Sequence, residues 1–236
     1  MRRSLRTEAG GGGAAHRSPA ASQAGLAAVS GLVFAALTGA AMLLVHRIPG
    51  LAAPDDEYRA FYSSGDRGSL VILGLYIVPF AGIACIWHMI ATRTMLQVLR
   101  PSSWSQVQHW LNLASGVLFV CLMFAGSAAV GAVALLTRFS GAPLPGPDVA
   151  RALSAVGYAM VFVYGVRAAA MYMITTTGLA RSAGVLPTSL AVVSYLAAAF
   201  LLLSTTFHPA ILLVFPGWVV LVSVLLLIRR PAGGPP

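Results

Sequence analysis

Six long apolar stretches decide what this chain of 236 residues can fold into. A helix needs roughly twenty apolar residues to cross a bilayer core of about 30 Å. Only 9% of the residues are charged, whereas a soluble domain carries about a quarter. The sequence therefore predicts an all-α fold, a polytopic transmembrane helical bundle with six spans. We place the spans at residues 24–46, 69–91, 110–137, 152–179, 189–206 and 209–228.

The segments outside these spans complete the predicted organisation. Residues 1–23 are polar and rich in Gly, Ala and Ser, which is typical of a disordered tail. Residues 24–230 form the transmembrane domain, and residues 231–236 form a second short tail. The last two spans are separated by "STTFHPAILL", which we interpret as a tight hairpin with Pro209 in the first turn of the sixth span. A single long re-entrant element is the alternative.

The arginines predict the orientation of the bundle. Nine lie in segments that share a side with the N-terminus, and five lie in the opposite loops. Because basic residues concentrate on the cytoplasmic side, we expect both termini to be cytoplasmic in a plasma membrane. The nine are Arg2, Arg3, Arg6, Arg17, Arg93, Arg100, Arg181, Arg229 and Arg230, and the five are Arg47, Arg59, Arg67, Arg138 and Arg151.

The type and the distribution of the basic residues indicate the source of the protein and its binding partners. All fifteen basic residues are arginine, and with the Ala and Gly excess this indicates GC-rich coding and a bacterial source. The net charge of +9 is scattered at the ends of spans, without a basic stripe or a recognition motif. We therefore expect the lipid bilayer as the partner and no nucleic acid.

The longest outer loop, residues 47–68, contains a helix-start signal. Acidic residues in "PDDE" favour the first turn of a helix, after which Tyr58, Phe61 and Tyr62 share one face. This predicts a short surface helix that acts as an aromatic anchor, with a lid over an outward-facing cavity as the alternative. In "PLPGPDVARAL", Asp148 is the predicted N-cap of the fourth span.

Three segments carry a resemblance: "AFYSSGDRGSLVILGLYIVPFAGI", "GYAMVFVYGVRAAAMYM" and "FHPAILLVFPGWVVLVSVLLL". They resemble a group of uncharacterised six-span actinobacterial integral membrane proteins of unknown function. The resemblance covers most of the chain after the N-terminal tail, although its motifs are largely apolar. It implies a polytopic helical fold in the plasma membrane and brings no established activity or functional residues.

Motifs of soluble enzymes are absent from the sequence, and no Asp or Glu falls within the six spans. The second absence argues against a proton-coupled transporter built on an intramembrane carboxylate. We predict no catalytic residue and no cofactor. Prolines Pro79 and Pro216 each interrupt a span; such interruptions mark transport sites in some proteins and are satisfied locally in others.

Four histidines form two pairs of equal predicted depth. His46 and His208 fall at the outer ends of spans, and His88 and His109 fall at the inner ends. A pair at one depth is the minimum for axial haem ligation, so either pair is a candidate haem or metal site. Histidine is also an ordinary residue at a membrane interface, and the alternative is that none binds metal.

Arg167 is the most unusual residue, because it stands in the middle of the fourth span. A charge at the bilayer centre costs about 2.5–3.5 kcal/mol, so we expect it to face the bundle rather than lipid. Its predicted acceptors are the carbonyl of Leu75, freed by Pro79, and the hydroxyls of Tyr76 and Tyr164. In a structural role Arg167→Leu folds and is more stable than Arg167→Lys.

The residues leave three functions open. The first is a non-enzymatic structural or accessory membrane protein. The second is a transporter or binder of a small molecule or lipid anion, with Arg167, Tyr164 and Tyr76 holding an anionic lipid or a small anion. The third is a membrane redox protein that uses one of the histidine pairs.

Overall fold

A computed structural model of the chain describes residues 19–99, 106–140 and 143–228. Within these ranges all regular structure is helical. Residues 1–18 and 229–236, which include most of the two predicted tails, lie outside the described residues. The helices are α1 (Pro19–Val45), α2 (Asp55–Ser63), α3 (Gly65–Leu99), α4 (Gln106–Phe139), α5 (Pro147–Tyr158), a π-helical segment (Ala159–Gly165), α6 (Val166–Ser182), α7 (Thr188–Leu203), a 3-10 turn (Pro209–Leu213) and α8 (Val214–Ile228).

Five helical segments in the described ranges are long and apolar enough to cross a membrane. Four have 27 to 36 residues, or about 40 to 54 Å at 1.5 Å per residue. Large apolar side chains cover their outer surfaces; Leu43, for example, is 75% exposed. Such a surface marks contact with lipid or protein. The five segments are Pro19–Val45, Arg67–Leu99, Gln106–Phe139, Pro147–Ser182 and Pro209–Ile228.

Most ends of the predicted spans agree with these helices to within five residues, but α3 continues to Leu99, eight residues past the predicted end of the second span. A second difference concerns α7. Helix α7 has only 16 residues and ends at Leu203, so it is about 24 Å long and shorter than the predicted span 189–206. It follows α6 through a turn at Gly184, whose φ of 73° favours glycine. The two helices then pack against each other as an antiparallel pair.

The connection after α7, predicted as a tight hairpin, consists of residues 204–208, which have no regular secondary structure. Ser204 and His208 have extended backbone angles. Polar side chains of this segment accept hydrogen bonds from the backbone amides two residues later in the chain. The Thr206 amide donates to Ser204 Oγ, the His208 amide to Thr206 Oγ1, and the Ala210 amide to His208 Nδ1. Pro209 then begins the 3-10 turn, as the sequence predicted for a helix start.

The short helix in the first long loop is present as α2, and its aromatic face packs into the bundle. Tyr58, Phe61 and Tyr62 are buried, and they pack against residues of α3, α4 and α5. We call this set of buried side chains the outer cluster; it consists of Ile48, Tyr58, Phe61, Tyr62, Val71, Ile72, Val130, Val133, Ala134 and Ala150.

Arg151 ties α5 to this loop. It donates to Asp55 at 2.6 Å and to the Ala53 carbonyl at 2.7 Å, and it lies over the Tyr58 ring. The prediction of Asp148 as an N-cap is wrong: Gly146 precedes α5, and Asp148 lies in the first turn. Pro147 occupies the start of the helix because its missing N–H needs no partner there, which moves the boundary one residue before Asp148.

Candidate functional site

The guanidinium of Arg167 is held by three backbone carbonyls. Nη1 donates to Phe162 O at 2.9 Å and to Val163 O at 2.7 Å, and Nη2 donates to Ser204 O at 2.9 Å. Ser204 is the C-cap of α7. The last carbonyls of a helix lack intrahelical partners and carry the negative end of its dipole. Arg167 therefore stabilises both the π-helical segment and the C-terminal end of α7.

The length of α7 explains why it ends beside Arg167. Arg167 lies fifteen residues before Ser182, the end of α6, which is about 22 Å along the helix. Helix α7 runs back along α6 for about 24 Å, so its last residues reach the same level. The arginine thus meets a helix end rather than the side of a helix.

The π-helical segment decides which groups surround Arg167. It interrupts the spacing of 3.6 residues that would bring the predicted acceptor Tyr164 to the same face as Arg167. As a result Tyr164 is 60% exposed while Arg167 is half-buried. Tyr76 on α3 is also 60% exposed. In the described part of the chain, the hydrogen bonds of Arg167 go to neither tyrosine and not to the Leu75 carbonyl.

A cavity of about 470 Å³ lies beside the segments that Arg167 joins. Its walls come from the end of α1 and the following loop, from α3 and α4, from the α5–π junction and from the start of α8. We call it the main cavity. Its lining residues are Thr38, Ala41, Met42, Val45, His46, Ile48, Gly50, Val78, Ala81, Phe119, Met123, Gly126, Ser127, Val130, Gly157, Tyr158, Val161, Phe162, Phe207, Pro209, Leu212 and Pro216.

Arg167 lies behind one wall of this cavity. Phe162, whose carbonyl accepts from Arg167, lines it, and so does Phe207, three residues after Ser204. The two rings are 5.8 Å apart and tilted by 50°. Because one side chain fixes both backbone segments, Arg167 sets the position of this aromatic wall without lining the cavity itself.

The two ends of the main cavity differ in polarity. His46 and Gly50 are exposed and mark the mouth, and Tyr158, which packs against the outer cluster, lies at the same end. The opposite end is mostly aromatic: Phe119 contacts Phe215 at 4.7 Å, and the buried Pro216 lies beside them. Within the described ranges, the one polar group toward this end is the buried hydroxyl of Thr38 on α1. Among the described lining residues there is no Asp, Glu, Lys or Arg, so the cavity suits an uncharged occupant.

Tyrosine hydroxyls near the mouth also remain uncharged. Tyr58 donates to the carbonyls of Pro49 and Gly50, which form the rim. Burial raises the pKa of Tyr58, and it raises the pKa of Tyr62 to about 12. Both hydroxyls therefore keep their protons at physiological pH.

The four candidate histidines occupy different surroundings. His46 lines the cavity mouth, and His208 is exposed between two lining residues, Phe207 and Pro209. His88 is fully buried, and its Nδ1–H donates to the Ala27 carbonyl at 2.8 Å. His109 lies near the start of α4. The described residues contain no group of three or more His, Cys, Asp or Glu side chains that could hold a metal ion; haem ligation by a pair stays a prediction.

The sequence did not reveal the cavity, because its lining comes from segments far apart in the chain. Two local signals point toward it in retrospect. Prolines Pro209 and Pro216 line it, and Pro79 follows the lining residue Val78. The polar run "STTFH" inside an apolar region marks the break after α7, although it does not say which residues the break faces.

No protein family model, no curated protein and no solved structure matches this chain. The class of protein is therefore defined by the fold and the candidate site alone. In its described ranges it is a helical bundle with five helices suited to membrane crossing, a ligand-sized cavity, and an arginine that holds the end of a short helix.

Proposed function

We propose that this is an integral membrane protein with a non-enzymatic, accessory role, which binds a small apolar molecule in the main cavity. The observation that carries the proposal is the cavity itself. Its volume of about 470 Å³ falls within the range of about 300–1,000 Å³ typical of small-molecule sites. Its lining also has the composition of such sites, mostly apolar with a few polar groups.

The break between α7 and α8 supports a binding role. Non-helical backbone at membrane depth is tolerated where it is buried or lines a cavity, and discontinuous helices build the substrate sites of many transporters. Phe207 and Pro209 bring this irregular segment to the cavity. A protein that needed only to span the bilayer would have no use for the break or for the arginine that stabilises it.

We further propose six crossings, with both termini cytoplasmic, in the plasma membrane of a bacterium. Helix α7 alone is too short, but the five non-helical residues 204–208 that follow it span at most about 16 Å more. Together they exceed the core thickness of about 30 Å. The distribution of arginines and the resemblance to actinobacterial six-span proteins support the same arrangement.

A second candidate function is anion binding at Arg167. A guanidinium has five N–H donors, and three hydrogen bonds to carbonyls are present. The remaining donors could hold a carboxylate or a lipid phosphate, since Arg167 is only half-buried. We rank this below the cavity, because the carbonyls already provide a structural reason for the charge.

Co-purification tests the proposal. The protein is purified from its membranes in a mild detergent, and its organic extract is analysed by mass spectrometry. Ser127→Trp places a large side chain in the cavity, and Val193→Trp is the matched control on the exposed face of α7. We expect an uncharged apolar compound with the wild type and the control, and its loss in Ser127→Trp. Equal amounts in all three proteins, or none in the wild type, would contradict the proposal.

A further inference from the structure

We infer that the occupant of the main cavity is a neutral single-chain amphiphile, with its hydrogen-bonding head between Tyr158 and His46 and its chain toward Phe119 and Pro216. This inference rests on the proposed binding function and specifies its ligand. Its carrying observation is the polarity difference between the two ends of the cavity.

The volume of the cavity matches one chain. A water molecule takes about 30 Å³ in the liquid, so the cavity of about 470 Å³ holds roughly fifteen groups of that size. A two-chain phospholipid is much larger than this. An isoprenoid or acyl chain with a small head matches the volume.

Charge excludes an ionic head. Burying an unpaired charge is costly, and the described lining residues offer no ionic partner. The guanidinium of Arg167, behind the cavity wall, is engaged by three backbone carbonyls. The guanidinium of Arg151 is engaged by Asp55, Asp148 and the Ala53 carbonyl. An uncharged hydroxyl or carbonyl is the head that this lining can accept.

Hydrogen bonding fixes the direction of the ligand. Within the described residues the Tyr158 hydroxyl has no protein hydrogen-bond partner, and the His46 imidazole is exposed at the mouth. Ser127 is less available because its hydroxyl donates to the Phe124 carbonyl at 2.9 Å. Thr38 on α1 is a third lining group, and its buried hydroxyl also has no partner among the described residues. Because the mouth holds two such polar groups, the head binds there, and the chain extends along α1 past Thr38 toward the aromatic end.

Three probes with one carbon skeleton test the inference: farnesol, farnesene and farnesyl phosphate. Their binding to the full chain in nanodiscs is measured at equilibrium, with empty nanodiscs as the blank. We expect farnesol to bind more tightly than the hydrocarbon, and farnesyl phosphate to bind most weakly. Tyr158→Phe should weaken farnesol binding by about threefold to tenfold, the effect of one neutral hydrogen bond, and should leave farnesene binding unchanged.

A second variant and a control keep the outcomes distinct. His46→Ala should act in the same direction as Tyr158→Phe, and Tyr195→Phe, which lies on α7 away from the cavity, should have no effect. Equal binding of farnesol and farnesene, unaffected by either substitution at the mouth, would overturn the inference while leaving the proposed function intact. Binding of no probe, together with an empty organic extract, would overturn both. Tightest binding by the phosphate, lost in Arg167→Leu, would favour the anion site instead.

Discussion

Arg167 Nη2 donates a hydrogen bond of 2.9 Å to the carbonyl oxygen of Ser204, the residue at which α7 ends. The two residues are 37 positions apart in the chain. Water satisfies such a helix end at a protein surface. In the six-span arrangement that we propose, Ser204 lies in the bilayer core, which supplies no water. The contact therefore explains both the charge in the middle of an apolar helix and the early end of the next helix.

Arg167→Leu should destabilise the protein because it leaves the Ser204 carbonyl without a donor. A buried unsatisfied group costs about 1–3 kcal/mol, or a fall in melting temperature of roughly 2–4 °C per kcal/mol for a chain of this size. Arg167→Lys keeps a donor within reach of this carbonyl, so its melting temperature should lie between those of the wild type and Arg167→Leu. Thermal unfolding in detergent measures the order.

Arg181→Leu is the matched control for this series, since Arg181 is exposed in the last turn of α6. The sequence alone favoured the reverse order, with the leucine variant more stable than the lysine variant. That expectation assumes that the acceptors around Arg167 need no hydrogen-bond donor after the guanidinium is removed. If Arg167→Leu melts at the wild-type temperature, the order expected from the sequence would stand. The role of Arg167 in capping the end of α7 would then be contradicted.

Tyr58→Phe should cost about 1 kcal/mol, because its hydroxyl donates to the carbonyls of Pro49 and Gly50. Tyr62→Phe should be neutral or slightly stabilising, since the Tyr62 hydroxyl is buried without a hydrogen-bond partner. Both residues belong to the outer cluster, so the pair isolates the effect of hydrogen bonding. Equal melting temperatures for the two variants would show that the loop is not held in this way.

Gly157→Ala should separate α5 from α4. A Cβ atom at Gly157 would lie 2.6 Å from the Gly126 carbonyl oxygen and would also collide with Val130 Cγ2, and the backbone oxygen cannot move aside. Gly25→Ala in α1 meets nothing within 4 Å, and it should stabilise the helix by roughly 0.5–1 kcal/mol. The melting temperatures of the two variants should move in opposite directions, and a shift of the same sign in both would refute this packing.

The topology can be read from cysteine labelling in intact cells, in a background without Cys85 and Cys121. An impermeant maleimide should label Ser63→Cys and should not label Ser4→Cys or Ala232→Cys. Labelling at Ala232 alongside Ser63 would mean that the termini lie on opposite sides and that the chain crosses five times. Labelling at both Ser4 and Ser63 would reverse the assignment of the N-terminus.

Much of the fold could be predicted from the sequence, because the lengths of the apolar stretches and the polar residues that separate them are local signals. They located α2 from "PDDE" and the long helices from their apolar runs. The partners of Arg167 could not be predicted, because they depend on a π-helical segment and on the exact residue at which α7 ends. The π-helical segment packs against α4, and the end of α7 is held by Arg167. Both depend on contacts between distant segments of the chain, as does the cavity wall formed by Phe162 and Phe207.

The most direct test of the binding function is the melting temperature as a function of farnesol concentration. A ligand that binds only the folded state stabilises it by RT ln(1 + [L]/Kd), about 2.7 kcal/mol at one hundred times Kd. We predict a saturable rise for the wild type and for Val193→Trp, and no rise for Ser127→Trp, whose cavity is filled. An equal rise in all three proteins, or no rise in the wild type, would contradict the assignment of the main cavity as a binding site.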